Sequence, residues 1–145
     1  MKLIFKKLND NAIIPTRATF GSAGFDIYAC TDTPITIDSG KIAIVPTGLS
    51  AQPDSNDTAL MIYPRSGLAS KYGISLANCV GIVDSDYRGE ICIPLINNGS
   101  EAFTIENGMR IAQLVVTKVL IPEIEVADSL SDTTRGENGF GSTGL

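Results

Sequence analysis

The feature that most restricts how this 145-residue chain can fold is its rhythm of short β-branched and apolar runs. Ile35–Ile37, Lys41–Val45, Leu60–Tyr63, Ile91–Ile96, Phe103–Ile105 and Ile111–Val119 are rich in Ile and Val. Such side chains are stiff at χ1 and pack well on a pleated surface. Turn signals fall between the runs: Asp38-Ser39-Gly40, Asn97-Asn98-Gly99 and Glu106-Asn107-Gly108. Asn and Asp bond to their own backbone and Gly accepts left-handed angles, so these triplets close turns. The pattern predicts an all-β sandwich, barrel or jelly roll. Pro94 has no backbone N–H, which predicts an edge or bulge position for it. Only Ser66–Tyr72 reads as a short helix, and no internal repeat is present.

Composition narrows the function. The length favours one domain, and 43% apolar with 19% charged residues is an ordinary globular balance. A net charge of -5 argues against direct nucleic-acid binding, which needs a basic face. An anionic small substrate would require a local basic cluster or a metal ion. Near the start, Leu3–Phe5 precedes Lys6 and Lys7, too short for a secretory core of about 7–15 apolar residues. No run approaches the roughly 20 residues that span a bilayer, so a cytoplasmic location without a membrane partner is expected.

Cys30, Cys79 and Cys92 form no C-x-x-C pair, and the chain has no histidine. A zinc site is therefore not expected. Three reduced thiols are, with Cys92 in a core strand. Without histidine there is no Ser-His or Cys-His hydrolase chemistry. A general base must be a carboxylate, Lys, Tyr or a metal-bound water.

After Ile121-Pro122 the chain turns polar, and Asp128–Leu145 carries Gly136, Gly139, Gly141 and Gly144. Such a stretch cannot bury a core of its own. By composition it is a frayed terminus, which divides the chain into a core over 1–127 and a tail over 128–145.

Five segments carry a resemblance. Ala23–Ala29 (AGFDIYA), Pro64–Ala69 (PRSGLA), Gly81–Glu90 (GIVDSDYRGE), Gly108–Val115 (GMRIAQLV) and Arg135–Gly144 (RGENGFGSTG) match, in order and spacing, the five motifs of the trimeric dUTPase family. The resemblance implies a distorted jelly roll of the β-clip type, with one short helix and a flexible C-terminal arm. It implies hydrolysis of dUTP to dUMP and pyrophosphate with Mg²⁺. That reaction would limit uracil incorporation into DNA and supply dUMP for dTMP synthesis. It further implies a homotrimer whose sites are shared between chains.

The same resemblance assigns roles to residues. Asp84 would be the general base that holds a water in line with the α-phosphorus. Taken alone, Asp84 and Asp86 are equally turn residues. Tyr87 would pack under the deoxyribose and leave no room for a 2′-hydroxyl; otherwise it is a core aromatic. Arg88 and Glu90 read as structural, paired across a turn or a subunit boundary. Uracil would be read by the hairpin Leu76–Val83, with Asn78 and Val83 at the base edge. A hydrogen-bonding site of this kind rejects a base with the wrong donor pattern. Asn78 is also a plausible turn residue.

Arg65, Ser66 and Gly67 would serve the α- and β-phosphates at a helix N-terminus, where Ser66 could also act as a helix cap. Gln113 would lie near the phosphates and the metal's water shell. Asp26 would either hold a Mg²⁺-bound water or brace the site through Arg110. Mg²⁺ keeps several waters and uses substrate phosphates as ligands, so few carboxylates and no histidine suit it. In the arm, Arg135 would meet the γ-phosphate and Phe140 would stack on uracil. Gly141, Ser142 and Thr143 would supply close backbone and hydroxyl donors. Asn138 stands where the family often has Gly, a change that left-handed Asn tolerates. Two alternatives remain at this point: a dCTP deaminase-like relative of the same fold, and a non-catalytic nucleotide-binding regulatory paralogue.

Overall fold

A computed structural model of the chain describes residues 1–139. In chain order the elements are β1 (Leu3–Lys7), β2 (Phe25–Tyr28), β3 (Ile35–Ile37), β4 (Ile42–Pro46), β5 (Leu49–Pro53) and β6 (Thr58–Pro64). They continue with α1 (Ser66–Tyr72), β7 (Ile74–Leu76), β8 (Gly81–Val83), β9 (Cys92–Asn97), β10 (Phe103–Ile105) and β11 (Arg110–Lys118). Every strand pair is antiparallel. The strands form a sheet β2-β11-β6-β8, a sheet β4-β9-β7, and the two ribbons β1-β5 and β10-β3. The all-β expectation and the short helix at Ser66–Tyr72 are borne out.

The core lies where the inner faces of these sheets meet. Ile27, Leu60, Ile62, Ile74, Ile93, Leu95, Ile105 and Leu114 are buried together. Each such side chain contributes roughly 1.5–3 kcal/mol when fully removed from water. Strand β9 shows the period of two: Ile93, Leu95 and Asn97 point in, while Cys92 points out. Cys92 thus lies in a core strand as expected, with its side chain exposed. Alternation puts it on the opposite face from the core. All three cysteines are free, and only Cys30 is buried.

Pro94 also departs from expectation, because β9 is the central strand of its sheet. The ladder accommodates it at one spot. A residue in an antiparallel pair directs its N–H and C=O toward the same neighbour. The Pro94 carbonyl accepts the Ala77 amide at 2.8 Å, and β7 has ended at Leu76. The missing donor therefore falls just where β7 stops. The central strand keeps its other bonds.

Asn97 ties the end of β9 to its surroundings. Its buried side-chain amide donates to the Ile37 and Glu101 carbonyls, both at 2.8 Å, and its Oδ1 accepts the Gly99 amide at 2.9 Å.

The helix α1 buries Leu68 and is stopped by Gly73, which has φ 70°. A left-handed angle is cheap only for Gly. A Cβ here would also strike the Gly99 backbone. At the other end the N-cap position is Arg65, with φ -93° and ψ 129°, and no side chain caps the helix. Ser66 is therefore the first helical residue rather than the cap. After Lys118 no helix or strand follows among the described residues, and Leu120, Ile124, Val126 and Leu130 are exposed. Among those residues no helix is long and apolar enough to cross a membrane.

Candidate active site

Two groups of site residues sit at opposite ends of β6. The first gathers where β2, β11 and β6 run side by side. Gln113 lies opposite Asp26 on one flank and Tyr63 on the other. A register shift in β11 between Arg110 and Ala112 lets Arg110 reach the same carboxylate. Asp26 Oδ1 accepts Arg65 Nε at 3.0 Å, and Oδ2 accepts Arg110 Nη1 at 3.3 Å. The basic and acidic groups of this corner thus converge on one clamp. Its net charge is positive, which suits an anion.

Around the clamp, backbone is left open. The Ser66 and Gly67 amides open α1 and find no backbone acceptor among the described residues. First-turn amides have no intrahelical partner. Space above Gly67 is empty out to 4 Å. Gln113 donates from Nε2 to the Pro64 carbonyl at 3.0 Å, which fixes its side chain beside Arg65. Gly24 allows this, because a Cβ there would sit 2.7 Å from Gln113 Oε1.

Among the described residues no cluster of three or more His, Cys, Asp or Glu could cage a metal. Asp26 spends one bond per oxygen on arginine, and a carboxylate has about four lone-pair sites. The donor set fits a Mg²⁺ ion that phosphates and water would mainly hold and that Asp26 would reach only through water.

The second group surrounds a shallow depression of about 250 Å³ lined by Ile82, Val83, Asp84, Tyr87, Glu90, Ile91 and Cys92. Asp84 begins a turn closed by the Tyr87 amide on the Asp84 carbonyl at 3.2 Å. The Asp84 carboxylate is exposed. Tyr87 is 46% exposed, so it is not a core aromatic. Arg88 and Glu90 do not pair with each other. Arg88 Nη1 donates to the Ser85 and Tyr87 carbonyls at 2.7 and 2.9 Å, and Glu90 Oε1 accepts the Gly48 amide at 2.7 Å. Burial, with Glu90 nearby, raises the Cys92 thiol pKa above its usual value.

Asn78 stands apart from this depression, on the connection from β7 to β8. The two strands are not a paired hairpin: β7 bonds to β9, and β8 bonds to β6. Between them the Val80 amide reaches the Asn78 carbonyl at 2.7 Å around Cys79, which has φ 61°. Such a three-residue turn is rare and strained outside Gly. Because the arms diverge, the Asn78 amide has no backbone partner among the described residues. Unpaired main-chain groups are what a base edge needs.

Position along β6 separates the two groups. Val83 lies opposite Leu60, and Asp84 follows Val83. Arg65 follows Pro64 at the far end of the strand. Six residue steps at about 3.3 Å each put Asp84 roughly 20 Å from Arg65. Arg135 of the tail donates from Nε to the Asn138 carbonyl at 2.9 Å, away from either group in sequence. Phe140, Gly141, Ser142 and Thr143 lie outside the described residues. Sequence reasoning missed Ile91 and Cys92 as lining residues. Their position depends on β9 starting beneath the Asp84–Tyr87 turn, and nothing local in the sequence signals that.

Known proteins resemble the chain over nearly its whole length. The family model described as dUTPase matches residues 10–144. The deoxyuridine 5'-triphosphate nucleotidohydrolase of Hahella chejuensis is 44% identical over 144 residues, covering 99% of this chain and 95% of that protein. The protein of the same description from Rickettsia felis is 51% identical over 142 residues, covering 97% and 95%. Among solved structures, the dUTPase of Staphylococcus bacteriophage 80alpha with dUPNHPP superposes with a TM-score of 0.87 at 26% identity, covering 99% of each chain. With its motifs, its jelly-roll-like fold and these relatives in agreement, the chain belongs to the dUTPase family.

Proposed function

We propose that the protein hydrolyses dUTP to dUMP and pyrophosphate by in-line attack of a water on the α-phosphorus, in a site assembled from more than one chain. The observation that carries the assembly is the roughly 20 Å between Asp84 and Arg65 along one strand, at about 3.3 Å per residue. A base and a phosphate anchor acting on one α-phosphorus must lie within a few ångströms of it. No single copy meets that requirement, whereas the Asp84 group of one copy beside the Arg65 group of another does. A symmetric trimer with three such junctions closes the arrangement.

In this reading each residue has one task. Asp84 takes the proton from the attacking water as the oxygen bonds to the α-phosphorus. The bond to the bridging oxygen breaks, and pyrophosphate leaves. Arg65 and the Ser66 and Gly67 amides hold the α- and β-phosphates; Asp26 holds Arg65 in place. Gln113 completes that wall. Asn78, Val83 and the open backbone of 77–80 read the uracil edge, and Tyr87 packs against the sugar. Mg²⁺, when bound, neutralises charge on the phosphate oxygens, with Asp26 in reach of its water shell. Arg135, Phe140, Gly141, Ser142 and Thr143 form the arm that closes over the nucleotide, which makes 128–145 a functional unit distinct from the core over 1–127.

The test is pyrophosphate release from dUTP with Mg²⁺, run beside light scattering. Turnover by a species of trimer mass is expected. Turnover by a monomer would overturn the shared site, and ammonia release from dCTP would favour the deaminase relative.

A further inference from the structure

The seat of the Tyr87 ring is made by a residue that touches no substrate in the reading above. Gly89, two positions on, lies directly beneath it. A Cβ at Gly89 would collide with the Tyr87 hydroxyl, with Cζ and with Cε2. The ring thus occupies the volume that any other residue at position 89 would fill. Its hydroxyl donates to the Glu90 carbonyl at 3.0 Å. Glu90 is fixed in turn, because its carboxylate accepts the Gly48 amide at 2.7 Å, and Gly48 holds φ 66° in the tight link between β4 and β5.

The backbone on either side of the ring cannot yield easily. The Tyr87 amide is bonded to the Asp84 carbonyl, and Arg88 clasps the Ser85 and Tyr87 carbonyls. Only the ring is free to move, being about half exposed. A side chain at position 89 would therefore displace the ring and leave the loop in place. Tyr87 lines the same depression as Asp84, Val83 and Cys92, so a displaced ring changes the shape of the space offered to the sugar.

We propose that Gly89 is a positioning residue for sugar selection: by leaving its Cβ volume empty it sets the Tyr87 ring against C2′, and the Tyr87–Glu90–Gly48 hydrogen bonds hold it there. This rests on the dUTPase reading and on Tyr87 as the sugar contact.

The test compares kcat/KM for dUTP and UTP in the wild type, Gly89→Ala and Tyr87→Phe, with UTP also measured as a competitor. A general folding defect lowers the active fraction and scales both substrates alike, so the ratio of the two isolates the seat. Gly89→Ala is expected to lower the dUTP-over-UTP preference about tenfold, the low end of what one misplaced carbon is worth in a fitted pocket. The loss should appear mainly in KM, since Asp84 is untouched. Tyr87→Phe keeps the ring over Gly89 but loses the bond to Glu90, and a smaller fall in the same direction is expected. If Gly89→Ala does not fold, Tyr87→Phe decides alone. A wild-type ratio in the folded variants overturns the proposal while dUTP turnover stands. Absence of dUTP turnover in the wild type overturns the functional reading and this one with it.

Discussion

Asp26→Ala tests how the phosphate corner is built. The carboxylate is 15% exposed and bridges Arg65, 27% exposed, and Arg110, 51% exposed. Its loss leaves two guanidinium groups facing one another without their shared partner. Exposed ion pairs are worth about 0–1 kcal/mol, and breaking a buried one costs about 3–5. One half-buried and one half-exposed pair place this clamp between those limits, at about 2 kcal/mol. With a urea dependence of about 2 kcal/mol per molar, the unfolding midpoint should fall by about 1 M, measured at fixed protein concentration because assembly shifts apparent stability. Asp26→Asn keeps one oxygen for Arg65 and should lose about half as much. Pyrophosphate release then separates the two roles of Asp26. If it only braces Arg65, KM for dUTP rises and the Mg²⁺ concentration for half-maximal rate stays put. If it also holds the metal's water, that concentration rises about 10–100-fold, as outer-shell ligand losses do. An Asp26→Ala midpoint within about 0.2 M of wild type, about a fifth of the expected shift, would refute the clamp.

Asp84→Asn should fold and bind dUTP yet lose at least ~10²-fold in kcat, the usual size of a general-base effect; near-normal turnover in a pyrophosphate assay removes Asp84 from that role. Deleting residues 134–145 should leave an oligomer with the same number of copies by light scattering and most of its turnover gone, and an unaltered kcat would take the arm out of the mechanism. Asn97→Ala should cost about 1–3 kcal/mol in urea unfolding, since it strands the Ile37 carbonyl in a buried setting and frees the part-buried Glu101 carbonyl and Gly99 amide.

Much of the fold was legible because strands announce themselves locally. Alternation and turn residues need only a few neighbours to be read. Thus Ile35–Ile37 and Phe103–Ile105 begin and end in the structure where the pattern put them, and Ser66–Tyr72 is a helix over the expected span. Strand ends elsewhere moved by one or two residues, as with Thr58–Pro64, because pairing with β11 extends β6 beyond its apolar centre. Which strand is central is not a local property. Pro94 looked like an edge residue, and only the early end of β7 made a central place tolerable.

By itself the sequence determined the kind of chemistry available: no histidine, a carboxylate in a turn, arginine before a short helix, and five motifs in family order. Those are properties of residue type and spacing, which the chain carries whether folded or not. Tertiary structure decided their geometry. It brought Arg65 and Arg110 onto one carboxylate from segments far apart in sequence, turned Cys92 away from the core, and laid Tyr87 on the bare surface of Gly89. It also set Asp84 and Arg65 at opposite ends of one strand. That last distance follows from antiparallel register, which depends on pairings between remote segments, and it is the observation on which the proposed shared site rests.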